Sequence, residues 1–355
     1  MTARSKWSVV ILVFAAAALF YWLKAGSSPS PKPAGALPEV RDLSRLEVYN
    51  FDPASSLAER ITAIPADLLQ HYRKMDGTTA YEAYQPSAAD KALVLEYFAL
   101  LPPVYRKVFE ARCVGLYFVD SFMGNGITSW VAGPGGEVYF HITFNAVTLT
   151  KSLSEILTER ERSCFKPGKT AITVEAGEKY RGFAYVLFHE ATHGLDYALG
   201  LTPWADNEMP ENLRPAAPLA GVAFRKYWAA YGTPVSSLDF SGRNNITFYG
   251  LGGGPKIPAD EAAPLYAGFA RTPFVSLYGS MSWAEDLSEL VTMRLLTRKL
   301  AQPYRITLGG EGQPVVLEPL RAKGAAARAD EILKLLDSVP AAALAALKRP
   351  DKVSE

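Results

Sequence analysis

The stretch Phe183-Ala-Tyr-Val-Leu-Phe188 carries no charge, and His189-Glu190-Ala-Thr-His193 then places two imidazoles and a carboxylate in the same apolar run. The periodicity predicts one helix from about Glu178 to Leu199, with Gly200 placed to end it. At 3.6 residues per turn, His189 and His193 stand one turn apart on one face, and Glu190 projects from an adjacent one. Buried polar groups are costly unless something satisfies them. A fold built on this segment must therefore pack a central helix and find a common partner for its polar face. Only four histidines occur in the chain, the others being His71 and His141, so the pair is not a by-product of composition.

The surrounding pattern predicts an α+β fold. Short helices are expected around Pro53–Ile64 and Pro65–Met75, then a clearer helix after Pro86 with Ser87 as cap. Pro102–Pro103 breaks that helix, and a shorter one runs to about Ala111. Cys113–Asp120, Gly126–Ala132 and Glu137–Asn145 read as strands, the last two joined by a hairpin turn at Gly133-Pro134-Gly135-Gly136. A helix over Ala146–Glu161 precedes the His189 helix. Residues 201–275, rich in proline and holding Gly250-Leu-Gly-Gly-Gly-Pro255, read as an irregular insertion. A helix from Trp283 to about Ala301, a hairpin of Arg305–Leu308 with Pro314–Glu318, and a helix over Ala325–Leu336 complete the chain. This gives an N-terminal helical region at 41–112 and a main domain at 113–345.

The N-terminus has its own character. Arg4 and Lys6 precede an uncharged run from Trp7 to Leu23, ended by Lys24, which predicts a membrane anchor or signal peptide over residues 1–24. Residues 25–40, rich in Ser, Pro and Gly, then act as a linker. Both readings put the remaining chain outside the cytoplasm, where Cys113 and Cys164 are free to form a disulfide or to stay as separate thiols. A net charge of +1 with no basic stripe excludes a nucleic-acid surface. The sequence leaves the oligomeric state open.

H-E-x-x-H on a helix is a metal-binding pattern: His189 and His193 can reach one ion, and Glu190 can serve as general base toward water. A Zn2+ ion needs a third protein ligand and, for catalysis, an open position. A third histidine at metzincin spacing is excluded, because Asp196 and Leu199 occupy those positions. The best candidate lies in Ser282-Trp-Ala-Glu285-Asp286-Leu-Ser-Glu289. Glu285 and Glu289 share a helix face, so one can bind the ion while the other hydrogen-bonds a ligand histidine. Ser282-x-x-Glu285 is equally a capping box, and spacing alone leaves both readings open. Asp196, one turn past His193, reads as a supporting hydrogen-bond partner, a surface residue or a ligand. His141, in an alternating strand, reads as a core histidine.

H-E-x-x-H followed at a distance by E-x-x-x-E resembles the gluzincin branch of the zincin-like metallopeptidases. Tyr278-Gly279 ahead of Glu285-Asp-Leu-Ser-Glu289 resembles the end of the catalytic domain in the anthrax lethal factor family, and H-E-x-x-H-x-x-D ending at Asp196 is similar to the Mlc titration factor A peptidases. The resemblance implies a small mixed sheet packed on the H-E-x-x-H helix with a helical C-terminal part. It also implies Glu285 as the third zinc ligand, Tyr278 as a stabiliser of the transition state and a peptide or protein substrate. The long separation of His193 from Glu285 departs from the family pattern. It implies that residues 201–275 fold away from the site, and it leaves Glu208, Glu211, Asp239, Asp260 and Glu261 as rival ligands. The competing functions are a catalytically degenerate zincin that binds a partner in the cell envelope, a non-peptidase zinc amidohydrolase and a structural zinc site.

Overall fold

The structure is a computed structural model, and it describes residues 42–310, 313–322 and 324–347. Turns and a strand, β1 (Ile61–Ala63), replace the helix expected over Pro53–Ile64. Arg60 supplies the reason. It is buried, and its guanidinium donates to the carbonyls of Ser55 at 2.8 Å, Phe109 at 2.9 Å and Cys113 at 2.8 Å, so the backbone here is tied to other elements rather than to itself. Helix α1 (Ala66–Met75) and the short strand β2 (Glu82–Ala83) follow. Helix α2 (Ala88–Phe98) begins at a reciprocal cap between Ser87 and Asp90. Helix α3 (Pro103–Arg112) carries Pro103 in its first turn, where a missing N–H does no harm.

Strands β3 (Cys113–Asp120), β4 (Gly126–Ala132) and β5 (Val138–Asn145) fall on the expected runs. They form a mixed sheet in the order β1-β3-β5-β4, with β2 against the end of β3. Residues 42–112 thus supply two strands as well as helices. β1, β3 and β5 are parallel, whereas β4 runs antiparallel to β5 along the edge. The Asn145 N–H donates to the Asn125 carbonyl at 2.9 Å, and the Gly133 N–H to the Glu137 carbonyl at 2.8 Å. Odd-numbered residues of β4 therefore bond to β5, and Gly126, Thr128 and Trp130 turn their backbone groups outward. Ala132 does the same, its N–H reaching the Ser44 carbonyl at 2.7 Å.

The helix expected over Ala146–Glu161 is broken. A 3-10 turn covers Ala146–Leu149, and α4 (Leu153–Arg162) restarts behind a Ser152/Glu155 capping box. Strands β6 (Phe165–Lys166) and β7 (Ala171–Glu175) come next. Helix α5 (Phe183–Leu199) starts later than Glu178 because the preceding loop is bonded to the head of α4: Gly182 N–H donates to the Lys151 carbonyl at 2.8 Å, and Leu153 N–H to the Tyr180 carbonyl at 3.2 Å. Gly200, at φ 62°, ends α5 in the left-handed conformation that glycine accepts most readily.

The insertion is mostly irregular, with α6 (Gly221–Arg225), β8 (Trp228–Ala230), β9 (Thr233–Pro234), β10 (Ile257–Pro258) and α7 (Ala262–Phe269). Helix α8 (Trp283–Arg294) continues as a π-helical turn to Lys299. Strands β11 (Arg305–Gly309) and β12 (Val315–Leu317) pair as the expected hairpin, and β7 joins the other side of β11. Helices α9 (Ala325–Asp337) and α10 (Ala341–Ala345) close the described chain. The fold is α+β. Helix α5 is packed between β4 and β5 on one side and α8 on the other, with α9 against α8.

One expectation needs correction, and one alternative left open is settled. The apolar run 7–23, read as a membrane anchor or signal segment, and the linker 25–40 lie outside the described residues. Among the described residues no helix is long and apolar enough to cross a membrane. The 17-residue α5 is shorter than the roughly 20 apolar residues a span requires and is interrupted by His189, Glu190, His193 and Asp196. The transmembrane signal-anchor reading is therefore withdrawn. The disulfide that export would permit is also absent: Cys113 and Cys164 are both free and buried, with their thiols donating to the Gly115 and Arg160 carbonyls.

Candidate metal centre

Helix α5 presents His189 and His193 with their Nε2 atoms 3.2 Å apart. Helix α8 brings Glu285 to them, Oε2 lying 3.0 Å from His189 Nε2 and 3.4 Å from His193 Nε2. Four tetrahedral ligand atoms held about 2 Å from a zinc ion are roughly 3.3 Å from one another. The observed triangle has that spacing, and among the described residues this trio is the group placed to hold a metal ion. Glu285 Oε2 is shielded from solvent and makes no well-formed hydrogen bond among the described residues. A cation would satisfy it, so the donor set fits zinc.

The two readings of Glu285 separate here. Ser282 Oγ accepts from the Glu285 amide at 3.2 Å, so the serine does cap α8. The Glu285 carboxylate, however, turns to the histidines rather than back to Ser282. Glu289, fully buried one turn on, accepts from His189 Nδ1 at 3.0 Å, from the Tyr185 hydroxyl at 2.7 Å and from Arg160 Nη1 at 2.9 Å. Burial alone would raise the Glu289 carboxyl, but Arg160 and the His189 bond hold it at about 2. Burial also opposes a charge on His189, yet Glu285 and Glu289 together raise it to about 10. The cluster is built to hold positive charge, and a metal ion would have to displace a proton from it.

Glu190 sits beneath the edge strand. Its Oε2 accepts from Thr128 Oγ1 at 2.7 Å. A Cβ at Gly126 would come within 2.9 Å of Glu190 Cγ and Val186 Cγ1, so only glycine lets β4 lie this close to α5. A cavity of about 190 Å³ opens between them, lined by Thr128, Glu190, His193, Tyr278 and Glu285 together with Tyr231 from the insertion. The Tyr278 ring stacks on His189 at 5.4 Å and meets Phe248 edge-on at 4.7 Å. Burial and the nearby Glu285 charge push its hydroxyl well up, which leaves it a proton donor.

Asp196 is buried and bonds Thr202, accepting from its amide at 2.7 Å and its hydroxyl at 2.5 Å. It braces the exit from α5 rather than bonding a ligand histidine, and it is neither exposed nor part of the ligand trio. His141 is a core histidine between Tyr49 and Tyr117, on the face of β5 turned from α5. The insertion does not fold wholly away, since Ala205, Asp206 and Tyr231 form one wall of the cavity. None of its rival carboxylates joins the ligand trio. Asp239 pairs with Arg243, and Asp260 accepts from the amides of Lys169 and Thr170.

Several residues of this site were not singled out from sequence: Thr128, Tyr231, Tyr185 and Arg160. Two had readable signals. Gly126 at the start of a strand marks close backbone approach, which points to its neighbour Thr128. Arg160 continues the apolar stripe of Leu153, Ile156 and Leu157, so it had to be buried despite its Glu-Arg-Glu-Arg surroundings. Comparison with protein-family models, with characterised proteins and with solved structures finds no match, so the functional reading rests on the chain's own residues.

Proposed function

We propose that this chain is a zinc-dependent metallopeptidase of the zincin-like, gluzincin type, with His189, His193 and Glu285 as zinc ligands. The observation that carries the reading is the convergence of three ligand atoms, at mutual distances of 3.0, 3.2 and 3.4 Å, on a cavity that Glu190 also lines. When bound, zinc supplies a Lewis acid that acidifies water and polarises a carbonyl. The chain's own residues do the rest. Glu190, held from one side by the Thr128 hydroxyl, takes a proton from the attacking water and returns it to the leaving amine. The Tyr278 hydroxyl, kept protonated, donates to the oxyanion as it forms. The outward backbone groups of Gly126, Thr128 and Trp130 offer an extended peptide a strand to pair with, directly over Glu190. Strand β4 lies at the sheet edge, whereas β5 is paired on both sides.

The test is Glu190→Gln assayed on a peptide library. The variant should keep its zinc and lose about 10²–10⁴-fold in turnover, because the ligands survive while proton transfer does not. Wild-type turnover in a zinc-loaded Glu190→Gln protein would overturn the mechanism.

A further inference from the structure

Behind the ligand trio lies a buried chain of hydrogen bonds that does not reach the cavity. Arg160 on α4 is fully buried. Its Nη1 is 2.5 Å from the Tyr185 hydroxyl and 2.9 Å from Glu289 Oε2, and its Nη2 is 2.7 Å from Glu161 Oε1. The other Glu161 oxygen accepts from the Tyr266 hydroxyl at 2.5 Å. We infer that Arg160 is a positioning residue that pins the Tyr185 hydroxyl and the Glu289 carboxylate in place, and so keeps the His189 Nε2 lone pair turned toward the metal. This inference rests on the zinc reading of the trio.

The inventory of donors fixes the direction. A guanidinium has N–H groups and no acceptor, so the Tyr185 oxygen must accept from Arg160. The single Tyr185 proton is then directed at Glu289 Oε1, 2.7 Å away. The Glu289 carboxylate thus receives donors on both oxygens and has only acceptor capacity left for His189. The 3.0 Å contact to His189 Nδ1 is therefore N–H to O. Once a metal ion has displaced the second proton, the neutral imidazole that keeps its proton on Nδ1 has its lone pair on Nε2, the atom facing His193 and Glu285. The bonds run one way because Arg160 can only donate and the Glu289 carboxylate can only accept. Arg160 does not line the cavity, so its influence on the metal passes through Glu289 and His189.

The test compares full-length wild type, Arg160→Gln, Arg160→Lys and Tyr185→Phe, each loaded with Zn2+ by chelator competition and, separately, with Co2+ for its visible spectrum. A glutamine amide can donate or accept, so Arg160→Gln lets the Tyr185 hydroxyl donate away from Glu289 and leaves that carboxylate, and His189 on it, less firmly placed. It should bind zinc about 10–100-fold more weakly, the range seen for such supporting partners, and show an altered Co2+ spectrum. Lysine is donor-only, and Arg160→Lys should recover most of the affinity even if its melting temperature stays low. A merely structural arginine would lower the melting temperature while leaving the zinc affinity of the folded protein untouched. Equal zinc affinity in folded Arg160→Gln and wild type overturns the inference, as does an equal loss in the lysine and glutamine variants. If Arg160→Gln does not fold, Tyr185→Phe carries the test: it should lose about tenfold in zinc affinity, and an unchanged value overturns the inference. A wild type that binds no zinc would instead overturn the metallopeptidase reading itself.

Discussion

Asp286 and Glu289 lie one turn apart on α8, both fully buried and both met by a buried arginine. Asp286 takes both guanidinium nitrogens of Arg328, from α9, and the Trp228 Nε1–H at 2.7 Å. Arg328 is in turn boxed by aromatic rings, 3.8 Å over Tyr227. These donors lead nowhere further, so the Asp286 cluster acts as a clamp between α8, α9 and the insertion. Glu289 has the same burial and the same kind of partner, but one of its donors is an imidazole whose second nitrogen faces a cavity. Burial and charge pairing alone therefore do not separate a structural carboxylate from a supporting one. The separating property is whether a partner has a second polar atom that reaches open space.

Four measurements can break or sharpen that contrast. The largest effect belongs to Glu285, the proposed third zinc ligand. Glu285→Ala should weaken zinc binding by ~10³-fold or more, about 4 kcal/mol, measured as metal retained after dialysis against a mild chelator. Ser282→Ala should keep its zinc and lose only about 1 kcal/mol of stability, because it removes the cap and no ligand. Equal retention in both variants would sink the ligand assignment. Next comes the clamp: Asp286→Ala should cost about 3–5 kcal/mol in denaturant unfolding, since it strands Arg328 in the interior. Zinc affinity of the folded variant should not change, and a tenfold drop would erase the distinction between the two clusters. Glu289→Gln should show the reverse profile, with zinc affinity lower by about 10–100-fold, or 1.4–2.7 kcal/mol.

The last measurement concerns a buried titratable group with no counter-charge. His141 is almost wholly buried, its Nδ1 has no partner among the described residues, and burial pushes it down to about 3, with His71 adding to the effect. Its folded pKa lies below its unfolded value of 6.5, so the unfolded chain binds more protons between the two. Its contribution to stability is complete above pH 6.5 and is lost as the pH falls toward 3, at up to about 1.4 kcal/mol per pH unit. His141→Phe should flatten that part of the acid-unfolding profile relative to wild type. An unchanged slope would mean that His141 charges without penalty in the folded state.

The legible parts of this molecule are those where local pattern and tertiary environment agree. The runs at 113–120 and 126–132 fall on their strands because apolar, β-branched and aromatic residues meet turn residues, after Asp120 for the first and at both ends of the second. His189 and His193 were legible because a histidine pair at helical spacing inside an apolar run has few uses besides holding a cation. Where the pattern misled, a distant partner had taken over. Arg60 drew Pro53–Ile64 out of a helix by bonding carbonyls some fifty residues away. Ser152 split a long helical pattern with a capping box that the apolar periodicity concealed. For Glu285 the sequence held both a cap and a ligand pattern; Ser282 caps the helix, while the Glu285 carboxylate turns to the two histidines.

The edge strand bears on a different hazard, the association of the protein with itself. A long unpaired edge is a template on which a second chain can add and aggregate. β4 leaves only a short stretch of that template open. Beyond Trp130 the Ser44 carbonyl occupies the Ala132 N–H, and the Gly133–Gly136 turn ends the strand directly after it. A peptide a few residues long can still pair with Gly126, Thr128 and Trp130, but a full-length strand from another copy would collide with the chain around Ser44. One backbone hydrogen bond at the end of β4 thus limits the length of strand that the edge can accept.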